Sequence, residues 1–193
     1  MFLLFAKYFN ICNQCAYCMS KSSDDQIKED KKKIIQQLIM DARQSPHEIA
    51  KKLGFSRQKA WKIIKELEKE NAIWGYNAVI GEKAGERTTY FALTKNKIPP
   101  FDYIDVIIKR IKEKSVSKVD VAIKGTYYLN GAYDWITAFT AKNITDAKIF
   151  CAYMQKEYGE YIERVDLLES VFPLIKCGKV NPELEQLRKF IIE

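Results

Sequence analysis

Apolar residues in the first part of the chain recur at the spacing of an α-helix. Between residues 27 and 42 they fall three or four positions apart, and charged residues occupy many of the other positions. This pattern predicts an amphipathic helix that buries one face. Its apolar stripe consists of Ile34, Ile35, Leu38, Ile39 and Ala42.

Capping residues predict two further helices directly after this first one. Ser45 and Glu48 have the spacing of a capping box, and Pro46 between them suits the first helical position. Gly54 can end that helix in the left-handed conformation, and Ser56 can cap the next helix. The core stripe of that third helix is Ala60, Ile63, Ile64 and Leu67. Two helices joined by a glycine-containing turn and braced by a longer first helix predict a helix-turn-helix.

Beyond residue 87 the pattern changes to a mixture of strands and helices. Strands are predicted at 88–95, 119–129, 134–141 and 161–175, and helices at 102–114 and 145–159. Asp102 is the predicted cap of the first of these helices. Asn130-Gly131 predicts a hairpin turn between the second and third strands. The resulting order, β-α-β-β-α-β, is that of a ferredoxin-like domain.

The predicted fold class is therefore α+β, with an N-terminal (winged) helix-turn-helix domain followed by a ferredoxin-like domain. The predicted segments are 1–23 for a leader, 24–74 for the helix-turn-helix, 75–87 for a link strand and turn, 88–178 for the ferredoxin-like domain and 179–193 for a helical tail that Asn181 caps. We expect the leader to be disordered or a misassigned start, because Met19 opens a polar segment typical of a protein start. The exposed sheet face is expected to carry Phe91, Leu93, Trp135 and Phe139 and to pair with a second copy.

The overall charge favours an anionic partner. The 193 residues carry a formal net charge of +7, and the sequence pI is near 9.0. Double-stranded DNA is the leading candidate, and an acidic membrane surface is the second. No apolar run approaches the ~20 residues that a membrane-spanning helix needs.

The five cysteines do not predict a disulfide framework. Their odd number favours a reducing cytoplasm. Cys12, Cys15 and Cys18 form a C-x-x-C-x-x-C run, but zinc and iron–sulfur sites normally use four protein ligands, and no fourth Cys or His lies nearby. These three cysteines are therefore weak metal candidates, and the expectation is no metal and no cofactor.

Residues 51–65 carry six basic side chains and no acidic one. The N-terminal half of the third helix could enter a major groove, where Arg57 can read guanine and Gln58 adenine. Lysines suit phosphates, although a run of lysines is more often a solvated helix face, and Trp61 is either a packing residue or a base contact. The candidate DNA-binding residues are Lys51, Lys52, Ser56, Arg57, Gln58, Lys59, Trp61, Lys62 and Lys65.

Taken together, these segments resemble the Lrp/AsnC family of transcription regulators over about residues 24–178. The matching residues are Asp30, Ile34, Leu38, Asp41-Ala42-Arg43, Glu48-Ile49-Ala50, Leu53-Gly54, Ser56, Leu67-Glu68 and Ile73, with the link segment 75–80. The resemblance implies a homodimer or higher oligomer, a DNA site with two-fold symmetry and an amino-acid effector near Gly131, Tyr133 and Asp134.

Three departures from the family pattern bear on these expectations. Asn71 stands where the family usually has Gly, and Ile63 replaces a usual basic residue on the recognition helix. The segment 119–134 is longer than usual, and Gly125 is a candidate for a β-bulge. The last departure bears most directly on effector binding and on the identity of the ligand.

Two alternative functions come from other classes. Sirohaem decarboxylases share this two-domain architecture, but the chain has a single histidine, His47, and shows no catalytic triad, paired carboxylates or phosphate-binding glycine loop. The sequence therefore predicts that the protein is not an enzyme. A sensing scaffold without DNA binding would be expected to have a neutral or acidic third helix, whereas this one is basic.

Overall fold

The computed structural model of the chain describes residues 24–97, 103–113 and 119–191. The chain divides into two compact units, Met1–Asn77 and Ala78–Glu193. The predicted leader, with Cys12, Cys15 and Cys18, and the predicted cap Asp102 lie outside the described residues. No helix in the described part of the chain is long and apolar enough to cross a membrane.

The N-terminal unit contains three helices, as predicted. They are α1 at residues 24–40, α2 at Pro46–Leu53 and α3 at Arg57–Lys69. The capping box at Ser45 and Glu48 is complete, and the Ser56 side chain accepts from the backbone N–H of Lys59. Gly54 ends α2 with φ of 68°, a conformation that glycine adopts without strain.

The core of this unit is built from the predicted apolar stripes. Its buried residues are Ile34, Ile49, Ala50, Ala60, Ile63, Ile64 and Leu67. Ile63 stands where the Lrp/AsnC pattern usually has a basic residue. In this chain it packs in the core, so the substitution removes no basic side chain from the exposed surface of α3. Burying this continuous stripe holds α3 against α1 and α2 and turns its polar face to solvent.

The segment after α3 is irregular. Asn71 has φ of 57°, a left-handed conformation that asparagine tolerates better than other non-glycine residues. This explains why Asn can replace the usual glycine. Residues 73–81 form no strand, so the link strand predicted for 75–80 is absent from the described residues. The predicted turn that follows contains the short helix α4 at Glu82–Gly85.

The main part of the C-terminal unit is a four-stranded antiparallel sheet with two of the unit's helices, and it confirms the predicted β-α-β-β-α-β order. The elements are β1 at Thr88–Asn96, α5 at Ile104–Lys112, β2 at Ala122–Tyr128, β3 at Trp135–Ala141, α6 at Ile144–Tyr158 and β4 at Ile162–Glu169. The strands lie in the order β2-β3-β1-β4. The α+β fold class predicted from the sequence is therefore correct.

The two sheet faces differ from the prediction in one respect. Tyr90 is paired with Phe139, and Thr94 with Trp135, and the ring centroids of Phe139 and Phe150 of α6 are 4.6 Å apart. Trp135 and Phe139 thus belong to the helix-covered face, and their predicted place on the exposed face is wrong. The open face, as used below, carries Phe91, Leu93, Tyr127, Ile136, Ala138 and Leu168.

The β2–β3 connection is a hairpin, but a longer one than Asn130-Gly131 suggests. Neither of these two residues has a positive φ, whereas a two-residue type I′ turn needs positive φ at both central positions. The connection closes instead through a 2.7 Å hydrogen bond from the backbone N–H of Leu129 to the carbonyl of Asp134. The register shift between Ile123 and Gly125 confirms the predicted bulge.

The C-terminal segment contains less helix than predicted. A two-stranded ladder joins β5 at Ile175–Lys176 to β6 at Lys179–Val180, and a 3₁₀ turn at Leu184–Leu187 leads into α7 at Arg188–Ile191. Asn181 accepts from the backbone N–H of Glu183, and its amide donates to the carbonyl of Pro173. The side chain therefore caps the first turn and also ties it to an upstream loop.

Candidate nucleic-acid interface

Helix α3 presents a polar face opposite its core stripe. Arg57, Gln58, Trp61, Lys62 and Lys65 are all exposed and fall on one half of the helix circumference at 100° per residue. Trp61 is 53% exposed and is not among the residues that form or pack on the core of this unit. The structure thus brings five of the nine predicted residues onto one surface, which we call the α3 face.

The first turn of α3 is electropositive. It contains no acidic residue, and the N-terminus of a helix carries a partial positive charge from its unpaired N–H groups. The Ser56 hydroxyl satisfies the N–H of Lys59 at 3.2 Å, so its role in the structure is to start the helix. Arg57, immediately after the cap, adds a full charge at the same end. This end of α3 is therefore suited to an anionic partner.

Lys59 is separated from the α3 face. Its ammonium group lies 2.6 Å from the carboxylate of Asp30 in α1 and 4.3 Å from the ring centroid of Phe55. The Asp30 side chain is only 3% exposed and also accepts a 3.0 Å hydrogen bond from Gln26. The hydrogen bond from Lys59 keeps the pKa of Asp30 below its ordinary value. Lys59 therefore joins α3 to α1 inside the unit.

The remaining lysines are engaged to different degrees. Lys65 pairs with Glu68 at 2.7 Å, and the hydrogen bond from Lys65 lowers the pKa of Glu68. Lys62 is 4.0 Å from Glu66, which is a weak exposed pair. On α2, the ammonium of Lys52 donates to the side-chain carbonyl of Gln44 at 2.5 Å, whereas Lys51 is exposed. Lys51 and Lys62 are the most available of these charges.

Sequence reasoning missed one exposed aromatic residue near the end of this unit. Trp74 is 95% exposed and follows Ile73, which packs on the core. An indole that buries so little of its surface lacks the packing role that tryptophan usually has. The sequence did carry a signal for this exposure. Trp74 immediately precedes Gly75, and a tryptophan outside any predicted helix or strand has no apolar stripe to join.

The predicted effector residues lie in the β2–β3 connection. The Asp134 carboxylate accepts from the backbone N–H of Asn96 at 2.8 Å and from Lys95 at 3.2 Å, and these contacts lower its pKa. The hydroxyl of Tyr133 donates to Asp166 at 2.6 Å. Gly131 is exposed and makes no turn that requires glycine. Asp134 thus anchors the connection to β1 through its own carboxylate.

Neither a metal centre nor a histidine-based catalytic site is apparent in the described part of the chain. It holds no group of three or more Cys, His, Asp or Glu side chains that could bind a metal ion. His47, the single histidine of the sequence, is exposed on α2.

The family model for winged helix-turn-helix DNA-binding domains matches residues 31–73. The match spans the C-terminal part of α1, all of α2 and all of α3. Comparison with the curated proteins finds no significant match. Comparison with solved structures finds regulators of the same fold.

The chain has the fold of the Lrp/AsnC regulators. The leucine response regulatory protein LrpA of Mycobacterium tuberculosis has a TM-score of 0.61 at 15% identity, covering 79% of this chain and 97% of that chain. An AsnC family transcriptional regulator from Agrobacterium tumefaciens has a TM-score of 0.60 at 15% identity, covering 83% and 97%. A Neisseria meningitidis transcriptional regulator, solved as an L-Met complex, has a TM-score of 0.58 at 14% identity, covering 76% and 90%.

These likenesses extend over nearly the whole of each regulator. The Lrp/AsnC resemblance that the sequence indicated is thus confirmed at the level of the fold, including the order of the two domains. At such identities the similarity establishes the fold, and the partners of this chain have to be argued from its own residues.

Proposed function

We propose that the protein is a transcription regulator of the Lrp/AsnC type that binds double-stranded DNA sequence-selectively as a dimer or a higher oligomer. The observation that carries this proposal is the α3 face. It is an exposed surface with no acidic residue in the first turn of the helix, and it lies on the second helix of a fully capped helix-turn-helix. In such domains the N-terminal part of the second helix meets the base edges.

Four residues of the α3 face, together with Lys51 of α2, would contact DNA directly in this proposal. Arg57 would donate to a guanine and Gln58 would pair with an adenine, since both side chains can form two parallel hydrogen bonds to these bases. Trp61 would provide apolar contact, for example with a thymine methyl group. Lys51 and Lys62 would bind phosphates, which fix the position of the protein without reading sequence. Lys59 takes no part, because Asp30 already holds its charge.

Lys52, Lys65 and Ser56 have secondary roles in the proposal. Lys65 would have to exchange its exposed contact with Glu68 for a phosphate, which costs little because exposed ion pairs are weak. Lys52 would likewise leave Gln44. Ser56 contributes by starting α3 and orienting its first turn. Trp74, which is almost fully exposed, is an additional candidate for contact with DNA or with a second subunit.

We further propose that subunits pair through the open face. Apolar side chains that remain exposed on a sheet, such as Leu168 and Tyr127, commonly mark an interaction surface. A two-fold dimer would place two α3 helices on the DNA and would account for a symmetric operator. Phe91 and Leu93 are only partly buried within one subunit. Pairing of two open faces would therefore remove further apolar area from water.

Replacing Leu93 with Lys is expected to raise the dissociation constant of the dimer at least tenfold, because pairing of the open faces would then bury a charge. Leu93 is paired with Asp166 across the strands, so the new lysine has an acidic neighbour in the monomer and folding should persist. Sedimentation velocity of the full chain checks this. Ile149→Lys on the exposed surface of α6 is the control, and equal association of both variants and the wild type would contradict pairing through the open face.

The proposal includes an amino-acid effector at the Gly131–Asp134 connection, since one regulator with this fold was solved with L-Met. The carboxylate of Asp134 and the hydroxyl of Tyr133 are already engaged by other groups. The exposed backbone around Gly131 is therefore the better candidate for direct contact. The proposed role is regulatory and not enzymatic, because the compared proteins of this fold are transcription regulators. Such a regulator would act in the cytoplasm, as the cysteine count also favours.

Binding to duplex DNA is expected to weaken steeply with salt. Each phosphate contact contributes about −0.9 to the slope of log K against log salt, so a dimer should show a slope of several units. Lys62→Ala should make the slope shallower by about 1.8 in a dimer, because it removes one contact from each subunit. Fluorescence anisotropy with a labelled duplex measures both values.

Lys112→Ala is the matched control, because it removes the same charge from an exposed site on α5. Its slope should equal that of the wild type. An affinity that does not change with salt, or an equal change in slope for both variants, would contradict the assignment of Lys62 as a phosphate contact.

A further inference from the structure

A cavity of ≈ 130 Å³ lies between the sheet and helices α5 and α6 of the C-terminal unit and is partly open to solvent. We call it the interior cavity. Much of its lining is apolar or aromatic and includes Ile107, Ile111, Ile123, Phe150, Met154 and Ile162. A cavity of about 150 Å³ with apolar walls can take up a benzene-sized molecule, so this one has room for a single ring.

The interior cavity also gathers polar atoms that lack partners. Thr94, Asn96, Tyr103 and Trp135 all line it, and each has a buried side-chain polar atom that makes no hydrogen bond of normal geometry with the described residues. The Tyr103 hydroxyl is close enough to the side chains of Trp135 and Asn96 for both to lower its pKa against the larger effect of burial. Thr94 is 2%, Asn96 8% and Tyr103 3% exposed. Native proteins rarely leave buried donors and acceptors unpaired. Four such residues around one cavity indicate that a polar molecule completes it.

We propose that the interior cavity binds a small neutral molecule of the phenol class, consisting of one aromatic ring with one hydrogen-bonding substituent. The ring would replace the missing packing between the isoleucines of α5 and the aromatic side chains of α6. The substituent would face Asn96, Tyr103 and Trp135. A phenolic hydroxyl suits this end, because it can accept from the indole N–H and donate to an amide oxygen.

The charges around the cavity favour a neutral molecule. Arg110 is the one charged side chain among the lining residues. Its guanidinium donates to Glu157 at 3.0 Å and lies 4.7 Å from the ring centroid of Tyr158. The arginine charge is thus already compensated by a carboxylate. A ligand carboxylate would enter without a free counter-charge, and burying an unpaired charge is strongly unfavourable.

Tyr103 is the residue that best tests this proposal. Its ring stacks on Tyr161 with a centroid separation of 4.4 Å, which fixes the position of the hydroxyl. Burial raises the pKa of Tyr103, so the hydroxyl keeps its proton at neutral pH and remains able to donate. Tyr103→Phe would retain the ring contact and remove only the unpaired polar atom.

The interior cavity is distinct from the proposed effector position, because Gly131, Tyr133 and Asp134 do not line it. The two are nevertheless adjacent. The backbone N–H of Asn96 donates to the Asp134 carboxylate, while the Asn96 side chain lines the cavity. This inference concerns ligand binding by the C-terminal unit, and it does not depend on whether the protein binds DNA.

Titration of the full-length protein with phenol, toluene and benzoate tests the proposal. By isothermal calorimetry we expect saturable binding of one phenol per chain, weaker binding of toluene and none of benzoate. Tyr103→Phe should lower the affinity for phenol about five- to tenfold, as for loss of one buried neutral hydrogen bond, and leave the affinity for toluene unchanged. Thr94→Val has nearly the same shape and also removes a buried polar atom that lines the cavity. It should likewise lower the affinity for phenol and leave the affinity for toluene unchanged.

Tyr90→Phe is the control, because Tyr90 is a buried tyrosine of the same sheet that does not line the cavity. It should bind phenol like the wild type. Tyr103→Phe should also melt no lower than the wild type, since it removes an unpaired buried hydroxyl. A lack of saturable phenol binding at millimolar concentration would overturn the proposal and indicate that water fills the cavity. Equal phenol affinity in the wild type, Tyr103→Phe and Thr94→Val would also overturn it.

Discussion

Replacing Lys59 with Met is expected to destabilise the N-terminal unit by about 1–3 kcal/mol. Removing one partner of a fully buried ion pair costs about 3–5 kcal/mol, and the value here is smaller because the Lys59 side chain is 44% exposed and solvent screens the pair. The substitution would leave the Asp30 carboxylate buried with only Gln26 as a side-chain donor. Native-state hydrogen exchange of amides in α1 and α3 measures this loss within the unit.

The destabilisation of Lys59→Met should depend on pH. The pKa of Asp30 lies below its ordinary value of 3.8 in the folded protein. The ionised pair therefore stabilises the fold above about pH 4, and this contribution is lost as the pH falls through the lowered pKa. The difference between the variant and the wild type should be largest near neutral pH and shrink below about pH 4.

Lys62→Met is the control for this prediction, because it makes the same change on α3 at an exposed residue 4.0 Å from Glu66. Its stability should stay within about 0.5 kcal/mol of the wild type. Equal effects of the two substitutions, or a Lys59→Met deficit that does not shrink as the pH is lowered below about 4, would contradict a structural role for the Lys59–Asp30 pair.

Replacing Arg57 with Ala is expected to weaken binding to the preferred DNA site by about 1–3 kcal/mol, which is roughly five- to 150-fold. The loss should be much smaller on random duplex, because only the preferred site offers a guanine to the guanidinium. Lys62→Ala should instead weaken binding to both duplexes by similar factors. Competition titrations with the two duplexes at one salt concentration give both ratios.

Arg57 is exposed and follows the cap residue of α3, so its replacement should leave folding intact. A melting temperature equal to that of the wild type provides the check. Equal losses on the preferred and the random duplex for Arg57→Ala would contradict base reading by Arg57 and assign it to phosphate binding.

Local signals predicted the N-terminal unit well. Helix caps and glycine positions act within a few residues, so Ser45, Glu48, Gly54 and Ser56 fix the helix boundaries without reference to the rest of the chain. The apolar period of α3 then determines which side faces the core. For this reason the α3 face could be predicted almost completely from the sequence.

Features that depend on distant residues could not be predicted in the same way. Alternation shows that Trp135 and Phe139 share one side of β3, but pairing with β1 decides which face of the sheet that is. The role of Lys59 depends on Asp30, which lies on another helix. The interior cavity combines residues from β1 to β4, and no local pattern marks it.

Selection from a random pool of DNA duplexes tests whether α3 reads DNA sequence. The full-length protein would be incubated with the pool at physiological salt, and the bound fraction sequenced over several rounds. For the wild type we expect an enriched motif with two half-sites related by two-fold symmetry. When Arg57→Ala is selected in parallel, a guanine that the wild type enriches in each half-site should no longer be enriched. Recovery of no enriched sequence by the wild type, or of the same motif by both proteins, would contradict sequence reading by α3.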